Sequence, residues 1–145
     1  MGSSWKCRVR RFPHTNTTTE GEPVNPESVV TEFCALWAQG DPDAIVEFFA
    51  EDAVYHNIPM EPVVGKPAIK DFITSFIGSS GGIAFNVHHQ VANGSIVMNE
   101  RTDVFAMNGK QIDLPVVGVF EIASDGKIVA WRDYFDMAPL TALGS

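Results

Sequence analysis

The chain has 145 residues, ten of them phenylalanine, and is 45% hydrophobic, which suits one apolar core and leaves little room for a second domain. Its formal net charge of −8 and pI near 4.8 argue against nucleic acid as a partner, since that binding relies on clustered Lys and Arg to displace counterions. No apolar run approaches the roughly 18 residues of a membrane span, so no membrane partner is expected.

Residues 1–24, ending "TNTTTEGEP", concentrate Lys6, Arg8, Arg10 and Arg11 in a polar, Thr-rich stretch without periodicity. They read as a disordered or loosely attached arm preceding a domain over 25–145. The start "MGSSWKCRVRRF" has no apolar segment after its basic residues, and Lys6 stands where a myristoylation signal needs Ser or Thr, so a cytoplasmic location is expected. Cys7 and Cys34 form no disulfide framework. The Asn-x-Ser/Thr triplets at Asn16 and Asn93 are then chance matches, because glycosylation needs a secretory route.

From Asn25 the pattern becomes periodic. Asn25 as cap and Pro26 as first residue open a helix whose buried face is Val30, Phe33, Cys34 and Trp37, ended by Gly40. Asp41 and Pro42 open a second, short helix with Ile45, Phe48 and Phe49 as its stripe. "AVYHNIP" follows as a short strand. Pro67 then opens a third helix with Ile69, Phe72, Ile73, Phe76 and Ile77 on one face, terminated by "GSSGG" at 78–82.

Beyond it, Asn93-Gly94, Asn108-Gly109 and Asp125-Gly126 separate four β-rich runs near 83–92, 95–107, 110–123 and 127–136. Such dipeptides favour tight hairpins, so the runs predict an antiparallel meander. Helices followed by a meander make the fold class α+β. Strands of this length twist and curl, so the expected architecture is a curved sheet with three to four helices on its concave face, a half-cone with an apolar interior.

Alternation along "IVMNERTDVF" puts Val97, Asn99, Arg101, Asp103 and Phe105 on one face of a strand. The next strand has Leu114, Val116, Gly118 and Phe120 on one face, and the last sets Asp133 between Trp131 and Phe135. If Arg101, Asp103 and Asp133 meet inside, burial and like charge raise one carboxyl's pKa while the forked guanidinium holds the other ionised, which yields an acid and a base together. Such a trio suits addition of water to a strained electrophile. From the spacing alone, a structural ion-pair network across neighbouring strands is the favoured reading. Tyr55 and Asn57, on one face of the short strand, are neutral groups able to hold a water, or simply a strand-end Tyr and a turn-forming Asn.

Adjacent His88 and His89 point to opposite faces in a regular strand, and no His/Cys/carboxylate cluster has ligand spacing, so no metal is expected. The nucleotide-binding and serine-hydrolase motifs are absent from the sequence.

The segments "VYHNIP", "ERTDVF" and "GVFEI…GKIVAWRDYFD", in this order, make roughly residues 26–140 resemble the limonene-1,2-epoxide hydrolase family, whose cystatin-like, or NTF2-like, fold is shared with ketosteroid isomerase. The resemblance implies Asp103 as general acid to an epoxide oxygen, Asp133 as base, Arg101 as the bridge, and Tyr55 and Asn57 as partners in holding the attacking water. It further implies one-step formation of a vicinal diol from a small apolar epoxide and water, no cofactor, and a homodimer formed through the outer sheet face. Phe105, Leu114, Val116, Phe135, Ile73 and Ile77 are the expected pocket residues, and Phe105 is bulkier than the aliphatic residue expected there. The alternatives on this fold are an isomerase or cyclase of the ketosteroid isomerase type and a non-catalytic binding protein.

Overall fold

The computed structural model describes residues 23–142, so nearly all of the basic arm lies outside the described residues. The first helix, α1 (Pro26–Leu36), begins where the Asn25 side chain accepts from the amides of Glu27 and Ser28, satisfying two donors that the first turn leaves unpaired. A single 3₁₀ turn follows, and Gly40 ends it at φ 67°, a left-handed conformation that costs a residue without Cβ nothing. Asp41 caps α2 (Pro42–Val46) in the same way as Asn25 caps α1.

The second helix is shorter than its apolar stripe predicts. Phe49 belongs to strand β1 (Phe49–Asn57), where it pairs with Ile128 and sets its ring edge-on to Phe33. Burial in the sheet outweighs the helical spacing of Phe48 and Phe49, which are the hinge between the two elements. A two-residue strand, β2 (Val63–Val64), leads into α3 (Lys66–Ser80). That helix runs through Gly78 and stops only at Gly81, which donates its N–H to the Ile77 carbonyl and at φ 78° turns the following chain out of the helix.

The meander is β3 (Ala84–Asn93), β4 (Ile96–Met107), β5 (Lys110–Ile122) and β6 (Ile128–Tyr134), followed by a one-turn helix, α4 (Ala138–Thr141). Asn108 and Gly109 both have positive φ between the paired residues Met107 and Lys110, the requirement of a two-residue hairpin turn of the I′ kind. The first hairpin is displaced by one residue from its dipeptide: Asn93 still pairs with Ile96, and Gly94 alone of the turn has positive φ.

The six strands form one sheet in the order β2-β1-β6-β5-β4-β3. Every pairing is antiparallel except β1 with β6, which sets Tyr55 beside Trp131 and Asn57 beside Asp133. Helices α1 and α3 pack over one face of this sheet. The core between them is aromatic, with Trp131 stacked on Phe120 and edge-on to both Phe33 and Tyr55.

The other face carries exposed Val91, Met98, Val117 and Tyr134. A register shift between Val87 and His89 overturns the alternation expected for the two adjacent histidines. His88 bonds the Thr102 hydroxyl and His89 approaches Glu100, residues that share the outer face, because the bulge inserts an extra residue and resets the parity of the strand. Among the described residues no group of three or more His, Cys, Asp or Glu could hold a metal ion. No helix of the described residues is long and apolar enough to cross a membrane.

Candidate active site

Three polar residues in same-face succession on β4, Asn99, Arg101 and Asp103, turn inward and are all buried. The Arg101 guanidinium then reaches Asp133 on β6, two strands away, a lateral span of about 10 Å between backbones. It passes over Gly118, which faces Asn99 in the β4–β5 register and Asp133 in the β5–β6 register. An ideal Cβ on residue 118 would collide with Arg101 Nη1 and lie 3.0 Å from Asp133 Oδ1. The missing side chain on the middle strand is what lets the arginine cross it.

At its destination the guanidinium is a two-sided clamp. Nε donates to Asp103 Oδ1 at 2.7 Å and Nη2 to Asp103 Oδ2 at 3.1 Å, while Nη2 also donates to Asp133 Oδ2 at 2.5 Å. The second Asp133 oxygen accepts from the Trp131 indole N–H at 2.7 Å. Phe85 supports the cation, its ring centroid 4.5 Å from the guanidinium carbon. Arg101 is 1% exposed, Asp133 4% and Asp103 7%, so two carboxylates share one cation in a nearly dry enclosure.

That charge imbalance governs protonation. Burial pushes the Asp103 carboxyl up from its ordinary 3.8 to about 6 against the opposing pull of Arg101, and the charge of Asp133 adds to the rise. Burial raises Asp133 as well, against the Arg101 charge and the Arg101 and Trp131 hydrogen bonds. Burial works against the Arg101 charge, yet the two aspartates hold it above its usual value. Because the folded state binds the Asp103 proton more tightly than the unfolded chain, its contribution to stability is complete below about pH 4 and lost as pH rises through about 6. A shift of this size corresponds to up to about 3 kcal/mol. Urea midpoints measured from pH 4 to 8 are therefore expected to fall across this window, and the fall is expected to flatten in Asp103→Asn.

Asp103 and Asp133 lie at the floor of a cavity of about 380 Å³. Tyr55 and Asn57 line the same cavity, the tyrosine hydroxyl donating to Asn57 Oδ1 at 3.4 Å. Burial pushes the Tyr55 hydroxyl up strongly, so it remains a neutral donor. Phe105, Leu114, Val116 and Phe135 form apolar walls. Ile73 and Ile77 do not: both are buried in the core, and Phe72 and Phe76 of the same helix face the cavity instead. The apolar stripe of α3 is wide enough to serve two surfaces, and one-residue steps of about 100° decide which side chain meets which. Met60, Met107, Met137 and Leu140 also line the cavity. They come from loops, a strand end and α4, where periodicity gives no signal.

A curved sheet closed by helices over an apolar cavity, with two buried carboxyl groups in its lining, defines a protein of the NTF2-like class. A profile of the SnoaL-like domain matches residues 30–131, and the chain belongs to that family. It is 32% identical over 97 residues to epoxide hydrolase EphG of Mycobacterium tuberculosis (strain H37Rv), a stretch covering 67% of this chain and 64% of that relative, just under two thirds of its length. Among solved structures, an LEH-like epoxide hydrolase of M. tuberculosis superposes with a TM-score of 0.72 at 28% identity, covering 81% of this chain and 86% of that one. The epoxide hydrolase/cyclase-like enzyme SalBIII, of the polyether salinomycin, gives the same TM-score at 23% identity over 79% of this chain and 92% of its own. A protein of ketosteroid isomerase-like fold from Catenulispora acidiphila also scores 0.72, at 19% identity, over 82% and 92% of the two chains. These last two establish the fold alone.

Proposed function

We propose that the protein is a cofactor-independent epoxide hydrolase that adds water directly to a cyclic or terpene-like epoxide and releases a vicinal diol. The observation that carries this is the Arg101 clamp between two buried carboxyls at the floor of an apolar cavity. Asp133, bonded through both oxygens to Arg101 and Trp131, is the ionised member and takes a proton from water. Tyr55 and Asn57, on the neighbouring strand beside Trp131 and Asp133, orient that water. Asp103 carries the shared proton and delivers it to the epoxide oxygen as the ring opens. Its Oδ2, with the longest of the clamp's bonds to the two aspartates, is the oxygen best placed to bear that proton.

The electron pair of the water oxygen forms the new C–O bond, and the pair of the broken C–O bond takes the Asp103 proton. Afterwards Asp133 is protonated and Asp103 ionised, and proton exchange restores the starting state. The apolar walls accept a hydrocarbon skeleton while the strained ring seeks the polar floor. A homodimer formed through the outer sheet face belongs to the same proposal, supported by the exposed Val91, Met98, Val117 and Tyr134.

A single turnover in oxygen-18 water, with enzyme in excess over cyclohexene oxide, is expected to give singly labelled diol. Unlabelled diol in that first turnover would mean that an enzyme carboxylate oxygen had entered the product through an ester, and the one-step mechanism would fall. A product isomeric with the epoxide, containing no added water, would point instead to isomerase or cyclase chemistry.

A further inference from the structure

We propose that Asn99 is a positioning residue for the Arg101 clamp, the last link of a polar chain that ties the guanidinium to helix α1. This rests on the hydrolase reading, in which that clamp orients acid and base. Arg101 commits Nε and Nη2 to the two aspartates, and Nη1 donates to Asn99 Oδ1 at 3.2 Å. From there the chain continues outward. Asn99 Nδ2 donates to Gln90 Oε1 at 3.2 Å and approaches Cys34 Sγ at 3.6 Å. Gln90 Nε2 donates to the Glu27 carbonyl at 3.2 Å and to Thr31 Oγ1 at 3.0 Å.

The polarity of this chain has only one solution. A backbone carbonyl can only accept, so Glu27 demands a donor. Thr31 spends its own hydroxyl hydrogen on that same carbonyl, at 3.0 Å, and so offers Gln90 only lone pairs. Gln90 must therefore turn its NH₂ toward α1 and its oxygen toward Asn99. Asn99 must in turn give its NH₂ to Gln90, which leaves its oxygen for Arg101. Two amides that are otherwise free to flip are set by a helix backbone group, through two side-chain links.

A neutral acceptor at this place has a specific consequence. It satisfies a guanidinium hydrogen without adding a third negative charge to a cation that two carboxyls already share. The ionisable groups facing Arg101 are Asp103 on its own strand, Asp133 on β6, Cys34 on α1 and Tyr55 on β1. Burial pushes the Cys34 thiol up to about 11, and the Tyr55 hydroxyl is also raised. Both of these groups stay neutral near pH 7, so a new carboxylate at position 99 acts on the two aspartates.

The test uses the full chain with three variants, Asn99→Leu, Gln90→Met and Asn99→Asp, each checked for folding by circular dichroism. Kinetics with cyclohexene oxide are read beside a ¹³C-carboxyl NMR titration of Asp103 without substrate. Asn99→Leu is expected to lower kcat about tenfold or more with KM within about twofold, as loss of orientation without loss of apolar binding requires. Gln90→Met, which frees the Asn99 amide to flip, is expected to move kcat in the same direction. Asn99→Asp is expected to raise the Asp103 titration, and the alkaline limb of the rate profile, by about one pH unit.

A folded Asn99→Leu or Gln90→Met with unchanged kcat, or an Asp103 titration unmoved in Asn99→Asp, would overturn the proposal. Should Asn99→Leu fail to fold, the other two variants decide. If the wild type makes no diol, the hydrolase reading fails on its own, while the carboxyl titration still decides whether Asn99 governs the charge of the clamp.

Discussion

Asp133→Asn is expected to lower kcat/KM for diol formation by about 10³-fold or more, within the range for loss of a general base. The amide cannot take a proton from water, and it also fits its surroundings poorly. Both Asp133 oxygens accept hydrogen bonds, one from Arg101 and one from the Trp131 indole, whereas an asparagine has a single acceptor and must turn its NH₂ toward one of these donors. A stability loss of about 1–3 kcal/mol is expected from that mismatch. Asp103→Asn should match the loss of activity for a different reason, since it withholds the proton from the epoxide oxygen.

The two variants separate in their pH behaviour. Wild-type activity should decline as pH rises through about 6, where Asp103 gives up its proton. In Asp133→Asn the like charge that helps hold that proton is gone, so the Asp103 carboxyl should titrate lower. Diol release followed by gas chromatography across pH 4–9, with unfolding curves for each variant, measures both effects. Retention of more than about a tenth of wild-type turnover in a folded Asp133→Asn would remove Asp133 from the role of base.

Much of this arrangement is legible in the amino-acid order because local chemistry governs it. The Asn25-Pro26 and Asp41-Pro42 pairs begin helices through bonds to their own first turns. Three Gly-containing dipeptides punctuate the meander, and strict alternation then carries Asn99, Arg101 and Asp103 to one face. Legibility ends where position depends on distant partners. Phe49 carries a helical spacing but is claimed by the sheet through pairing with Ile128, nearly eighty residues on. The bulge at His88 has no signature in composition, yet it decides which face both histidines meet.

The division of labour on α3 is equally hidden, because Ile73 and Phe72 are both apolar and only tertiary packing sends one to the core and the other to the cavity. Asn99 reads as an inward polar residue, but nothing in the order of residues joins it to Gln90 and the Glu27 carbonyl. The parallel β1–β6 pairing is likewise long-range, and it alone brings Tyr55 and Asn57 beside Trp131 and Asp133.

Gly118→Ala is the smallest change expected to dismantle the clamp. Glycine inside a strand ordinarily weakens it, and alanine there would be an improvement if only the backbone mattered, because Gly118 has no positive φ to preserve. Sterics reverse the sign. The added methyl would overlap Arg101 Nη1 and stand 3.0 Å from Asp133 Oδ1 and 3.1 Å from Asn99 Oδ1, three groups that converge on the same small volume. The guanidinium cannot retreat without giving up a carboxylate, and opening a buried ion pair costs about 3–5 kcal/mol. Gly118→Ala is therefore expected to lose about 3 kcal/mol of stability and about 100-fold or more in kcat. Gly78→Ala supplies the contrast, since that helical glycine has nothing within 4 Å of its added carbon and should gain about 0.5–1 kcal/mol. Urea denaturation and steady-state kinetics on the two variants compare them directly. Equal stability and activity in Gly118→Ala and wild type would mean that the arginine does not depend on crossing β5 at a bare position.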